Sequence, residues 1–205
     1  MVNGFGIYDG DYVGKNTTNK IYQVWRSMIK RCYSKNVTES YKNTTIHDEW
    51  KYYSSFEKWY NNNYKENYSL DKDIIGGELN QYSSRTCAFV PREVNNCILD
   101  SNTIGSKYPI GVSYHKKRKD MINEYAKPYY SQITKYNKRI FLGSYSTPEE
   151  AHRAWQYAKK EYIEEIITKY YNDVSSEIIE GLKRRIKILD NDIKCGNITK
   201  TVNKI

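Results

Sequence analysis

Between Gly105 and Arg139 the sequence gathers nine cationic side chains, Lys107, Lys116, Lys117, Arg118, Lys119, Lys127, Lys135, Lys138 and Arg139, against only Asp120 and Glu124. Most of the formal charge of +9 carried by this 205-residue chain therefore sits in one segment. Lys and Arg at that density neutralise the phosphates of a polyanion and release its counterions, which makes affinity depend steeply on salt. The cations also lie in stretches that alternate like strands, GVSYHKKRKD at 111–120 and KYNKRIFLGSY at 135–145. Such alternation presents charge on a face, where a structureless run would only solvate it. The ammonium groups of Lys116 to Lys119 suit phosphate positioning, because a flexible point charge carries no sequence information.

The elements that would hold these residues follow from local pattern. Three strand signals, Ile110 to His115, Tyr129 to Thr134 and Ile140 to Tyr145, are separated by polar turns. Thr147, Pro148 and Glu150 then give an N-cap, a first-turn proline and an acid three residues on, a capping-box start. Ala151, Ala154, Trp155, Ala158 and Tyr162 follow at spacings of three and four, a narrow face that a sheet can approach closely. Further on, Ile178, Leu182, Ile186, Leu189 and Ile193 form a second stripe, which can pack back on the chain or pair with a second copy in a homodimer; packing within the chain is the expectation carried forward.

Upstream, Ile21, Trp25, Met28, Ile29 and Cys32 predict an amphipathic helix over 19–34, and Phe56, Trp59 and Tyr60 predict another opening at Ser54 and ending at the Asn61–Asn63 triplet, with a short strand or turn at Thr45 to Trp50 between them. Residues 69–98 read as a strand, a Gly-Gly turn, a second strand CAFV, and a helix opened by Pro91. DSNTIGSK, 100–107, is polar and reads as a linker. The fold class is α+β: a domain over 1–100 with a hairpin-plus-helix core at 69–98, a linker at 101–107, a three-stranded antiparallel sheet packed on one helix at 108–170, and a C-terminal helical extension at 171–205.

Bulk composition excludes several classes. No run of 18 apolar residues and no basic-then-apolar N-terminus occurs, so the chain reads as cytoplasmic, with no membrane span or secretory signal. Cys32, Cys87, Cys97 and Cys195 are widely spaced with no CxxC pair, which argues against zinc and against a disulfide framework and leaves buried free thiols. The 22 tyrosines and 4 tryptophans must supply much of the core.

The ordered motifs IGV, YYSQI, FLGSY and TPEEAHRAW, spanning Tyr108 to Tyr162, resemble the APETALA/ethylene-response-factor family of DNA-binding domains. The resemblance implies that the sheet lies in the major groove of double-stranded DNA while the helix braces its far face, and a groove about 12 Å wide does admit a small twisted sheet. Carried over by position, Ser113, His115 and Lys116 of the first strand, Tyr130, Gln132 and Thr134 of the second, and Arg139 and Phe141 of the third face DNA, with Lys117, Arg118, Lys119 and Lys138 beside them. Gln132 can pair bidentately with adenine and Arg139 with guanine. Ser113 and Thr134 stand where the plant pattern has Arg, so a target sequence does not transfer.

LDKDIIGGELNQYSSRTCAFVPREVNN resembles the core of HNH endonucleases of the phage and homing type, a ββα-metal-like unit binding one divalent ion. YQVWRSMIKRCY and DEWKYYSSFEKW resemble the segments that precede that core, and joining an HNH core to an ethylene-response-factor-like domain is a recognised mobile-element arrangement in bacterial hosts. By position, the resemblance makes Asp71 the metal-ligand acid and Asn95 (or Asn96, one residue on) the helix ligand, with Asp73 in support, for Mg2+ or Mn2+. The His expected after the acid is Lys72, and the structural Asn before the second strand is Thr86. A lost general base costs roughly 10²–10⁴-fold. Lys72 can instead stabilise charge on the phosphorane, and His47 in TIHDEW is another base; the plain alternative keeps Asp71 as a turn residue and His47 as structural. The expectation is double-stranded DNA binding with metal-dependent phosphodiester hydrolysis retained in altered form. The alternative is an inactive DNA-binding regulator or inhibitor of phage or mobile-element origin.

Overall fold

Asn19 starts the first helix by accepting the backbone N–H of Tyr22 on its side chain (3.1 Å), and Lys20–Tyr33 (α1) follow. The computed structural model describes residues 1–10, 19–99, 107–116 and 125–203, and the chain divides into two compact units, Met1–Pro91 and Arg92–Ile205.

In the first unit α1 buries Trp25, Met28, Ile29 and Cys32, the stripe its spacing predicts. Thr45–Ile46 (β1) leads through a 3-10 turn at Asp48–Lys51 into Tyr53–Asn63 (α2). Aromatic rings fill the space between: the Trp25 indole N–H donates to the Trp50 carbonyl (2.8 Å), and Trp50 meets Phe56 edge-on at 5.0 Å. Tyrosines serve because the ring can be buried while the hydroxyl keeps a partner, as where Tyr33 accepts the Ile46 N–H and Tyr53 donates to Glu57. Tyr68–Asp71 (β2) then pairs antiparallel with Ala88–Pro91 (β4). Their connection is richer than the Gly-Gly turn expected. It holds a one-turn helix, Asp73–Gly76 (α3), a left-handed Asn80 (φ 45°), and Gln81–Tyr82 (β3), which pairs parallel with β1. Gly76 and Gly77 end the short helix, because the local hydrogen bonds of Asp71 start a helical turn there first.

The second unit begins earlier than the expected boundary near residue 100. Arg92–Cys97 (α4) belongs to it and packs on its long helix. The linker expected at 101–107 lies, except for Lys107, outside the described residues. Val112–Tyr114 (β5), Tyr129–Lys135 (β6) and Lys138–Tyr145 (β7) form an antiparallel sheet in that order. The β6–β7 turn puts both Tyr136 and Asn137 at positive φ (51° and 61°), the pattern of primed hairpin turns, and the Tyr136 N–H is held by the Tyr162 hydroxyl (3.2 Å). Pro148–Tyr170 (α5) opens with the full capping box: the Glu150 N–H bonds Thr147 Oγ1 at 3.2 Å and Glu150 Oε2 accepts the Thr147 N–H at 3.3 Å.

Trp155 is buried against Gly111, where any side chain would collide with the indole; a Cβ there would lie 2.1 Å from it, and φ is +78°. The buried side of α5 is wider than the alanine stripe suggests, reaching Gln156, Ile163 and Ile166 while Ala154 is only half-buried, because α5 packs on the sheet and also on Ser176–Cys195 (α6). The expected extension is thus part of this unit. Ile178, Leu182 and Leu189 are buried within the chain, so the stripe a homodimer would have used is occupied.

Residues 197–203 fold back onto both helices. His152, 1% exposed, donates from Nδ1 to the Ile110 carbonyl (2.9 Å), since its Nε2 accepts the Thr199 N–H (3.0 Å). Arg185, fully buried, donates to the carbonyls of Gly181, Val202 and Asn203, each at 2.8 Å. No helix among the described residues is long and apolar enough to cross a membrane. Cys32, Cys87 and Cys97 are buried free thiols and Cys195 is exposed; burial pushes the Cys32 thiol up to about 11 and Cys87 up to about 12.

Candidate nucleic-acid interface

Alternation along β6 fixes what each face of the sheet carries. Ser131 and Ile133 are buried on the α5 side, so Tyr130, Gln132 and Thr134 lie on the other face. Cross-strand register adds their neighbours: Ser113 and Ser144 flank Tyr130, Phe141 pairs with Gln132, and Arg139 pairs with Thr134. The register shifts between Ser131 and Gln132, leaving Leu142 as the extra residue of a β-bulge beside Gly143 (φ +133°). That bulge resets the alternation, so Ser144, Phe141 and Arg139 share the outer face.

The outer face is aromatic and cationic together. His115 stacks on Tyr130 with ring centres 4.3 Å apart, Tyr125 lies 5.1 Å from His115, and Phe141 lies 6.3 Å from Tyr130 and is 62% exposed. Lys116, Lys138 and Arg139 are exposed and make no ion pair among the described residues. Lys135 differs, being held by Glu161 (3.0 Å) and Glu165 (3.1 Å) of α5. The structure therefore brings together eight expected residues on or beside one face: Ser113, His115, Lys116, Tyr130, Gln132, Thr134, Arg139 and Phe141, with Lys138 at the hairpin end. Lys117, Arg118 and Lys119 lie outside the described residues. Sequence reading missed Tyr125 and Ser144. Strict period-two counting from Arg139 hides Ser144 behind the bulge.

The residues assigned to an HNH-like centre have other work. Asp71, buried at the end of β2, accepts the backbone N–H groups of Asp73 (3.0 Å) and Ile74 (2.8 Å) on Oδ1, which starts α3. Lys72 is 3% exposed, with Nζ 2.5 Å from Asp73 Oδ1 and 3.0 Å from Asn80 Oδ1, and with the rings of Tyr41 and Tyr82 at 5.8 and 5.7 Å. Thr86 donates to the Gln81 carbonyl (2.6 Å) and closes the same loop. His47 is exposed and accepts the Glu49 N–H on Nδ1 (3.3 Å), capping the 3-10 turn. Asn95 and Asn96 are in α4, which belongs to the second unit, and Asn96 bonds Asn137 there at 3.4 Å.

Among the described residues no three His, Cys, Asp or Glu side chains converge. A hard divalent cation needs several oxygens turned inward with a surplus of negative charge. Asp73 is neutralised by an ammonium and Asp71 Oδ1 serves two amides, so as placed this pair does not fit Mg2+ or Mn2+, and an ion beside Lys72 would meet a like charge. Comparison with protein-family models, with curated proteins and with solved structures returned no match to the chain.

Proposed function

We propose that the chain binds double-stranded DNA through the outer face of the β5–β6–β7 sheet, without hydrolysing it at Asp71, Lys72 and Asp73. The observation that carries this reading is the pairing on one exposed sheet face of Gln132 and Arg139, both able to address base edges, with cations that the protein leaves unpaired. Gln132 and Arg139 sit one face-repeat apart on adjacent strands, so they address neighbouring base pairs, and Phe141 beside Gln132 offers an apolar contact to a thymine methyl. Lys116 and Lys138 contact phosphates and set orientation.

The test is anisotropy of a labelled duplex titrated across salt, on selected target sequences. Binding should weaken steeply with salt, and Arg139→Ala or Gln132→Ala should each cost ~1–3 kcal/mol and relax preference at one position. Salt-independent binding, or full affinity in both variants, would overturn the reading. Incubating plasmid with Mg2+ or Mn2+ checks the second half: no cleavage is expected, and cleavage abolished by Asp71→Ala would restore the hydrolytic reading.

A further inference from the structure

Helix α1 carries Lys20, Arg26, Lys30 and Arg31 and no acid. Two of these cations are engaged by the protein: Lys20 bonds the Tyr64 hydroxyl, and Arg31 reaches the Tyr82 hydroxyl (3.4 Å) with Tyr41 5.9 Å away. Arg26 and Lys30 are exposed, one helical turn apart, and have no acidic partner among the described residues. Like charges at that spacing repel. In the same unit Lys42 pairs with Glu39 and Lys72 with Asp73, each at 2.5 Å, while exposed Lys58, like Arg26 and Lys30, has no ion pair among the described residues. Gln23 and Ser27, also exposed on α1, add neutral donors beside the pair.

A basic amphipathic helix can also lie on a bilayer, but only if its apolar side is free. Here Trp25, Met28 and Ile29 are at most 1% exposed in the core, so only the polar side can meet a partner. Residues i and i+4 are about 6 Å apart along the axis. Two long cationic side chains at that separation, flanked by an amide and a hydroxyl, match successive phosphates of one nucleic-acid strand better than a compact anion, which would need them convergent.

We propose that the exposed side of α1, through Arg26 and Lys30, is a second nucleic-acid contact that takes the phosphodiester backbone, in a unit to which the sheet contributes nothing. The proposal rests on the DNA-binding reading above but not on the sheet's role in it. The full chain is titrated against a duplex as Arg26→Ala/Lys30→Ala, as Arg139→Ala, and as Lys58→Ala/Lys65→Ala, a control that removes the same charge from exposed positions elsewhere in the unit. Melting curves confirm that each variant is folded. The α1 variant should lower the slope of log affinity against log salt by about two and weaken binding ~10-fold near 0.1 M salt, with base preference unchanged. The control should change affinity less than ~2-fold, as expected for charges that touch no phosphate.

Unchanged affinity and slope in the α1 variant, or an equal loss in the control, would overturn the proposal; the first outcome would leave an acidic protein surface as the partner of α1. Loss in the α1 variant with none in Arg139→Ala would uphold this proposal and sink the sheet reading instead.

Discussion

Lys72 shows how a buried cation can be held within a single loop. Its ammonium takes the carboxylate of Asp73 and the amide oxygen of Asn80 inside the loop between β2 and β4. Lys72→Ala should therefore destabilise the first unit by about 3 kcal/mol, since it takes the buried ammonium away from the Asp73 carboxylate and the Asn80 amide and leaves a cavity in its place; a urea midpoint unchanged from wild type would refute that account. His152 makes the second residue-scale prediction. Burial depresses its pKa, against the opposing bond to the Ile110 carbonyl, so the folded state holds the neutral ring. The unfolded chain takes up its proton near pH 6.5 and the folded one only below that. The stability from this group is thus complete above pH 6.5 and lost as the pH falls through the lower folded value. Unfolding midpoints measured from pH 7.5 to 5 should fall in wild type, and His152→Gln should remove that component of the slope. Asp71 as a turn residue was one of the two readings the sequence allowed, but the burial of Lys72 and His152 was not legible, because Lys72 meets Asn80 eight residues on and His152 meets Thr199 47 residues on, and neither pair follows a motif.

Among elements, legibility tracked length and period. The α1 stripe, the three sheet strands and the Thr147 capping box were readable because each repeats or carries a fixed spacing that physics rewards locally. The one-turn α3 and the two-residue β3 were not, because four residues show no periodicity and two show no alternation. The outer sheet face lay between these cases: alternation along β6 puts Tyr130, Gln132 and Thr134 on one face, while the bulge at Leu142 takes Ser144 out of the period-two count on β7. Gly111 lies against Trp155 with no room for a side chain. Gly111→Ala combines a positive φ with a collision, so it should cost more than ~2 kcal/mol and loosen β5 from the helix. Thermal melting of that variant within a degree of wild type would show that the contact is not as close as described.

At the scale of the whole chain, charge and structure divide unequally. The first unit holds 12 Lys and Arg against 10 Asp and Glu, the second 21 against 14, so the stronger long-range attraction for a polyanion belongs to the unit with the sheet. The boundary after Pro91 also changes where the chain should be cut. Val94, Cys97 and Ile98 are fully buried, and Glu93 bonds both Lys169 and Tyr170. A fragment 92–205 should consequently melt well above a fragment 101–205, which lacks α4 and the Lys159 bond to the Leu99 carbonyl. Equal melting temperatures would place α4 outside the folding unit.

Residues 199–203 have a bearing on biosynthesis. The buried guanidinium of Arg185 and the ring of His152 find their partners on a segment translated more than sixty residues after β7 begins at Lys138. During synthesis at about 5–20 residues per second, the first unit can fold as soon as it emerges, but the second must wait, with α5 and its sheet formed around an unfilled polar centre. A nascent chain can therefore complete the first unit, α1 included, before the polar centre beneath α5 and α6 is filled.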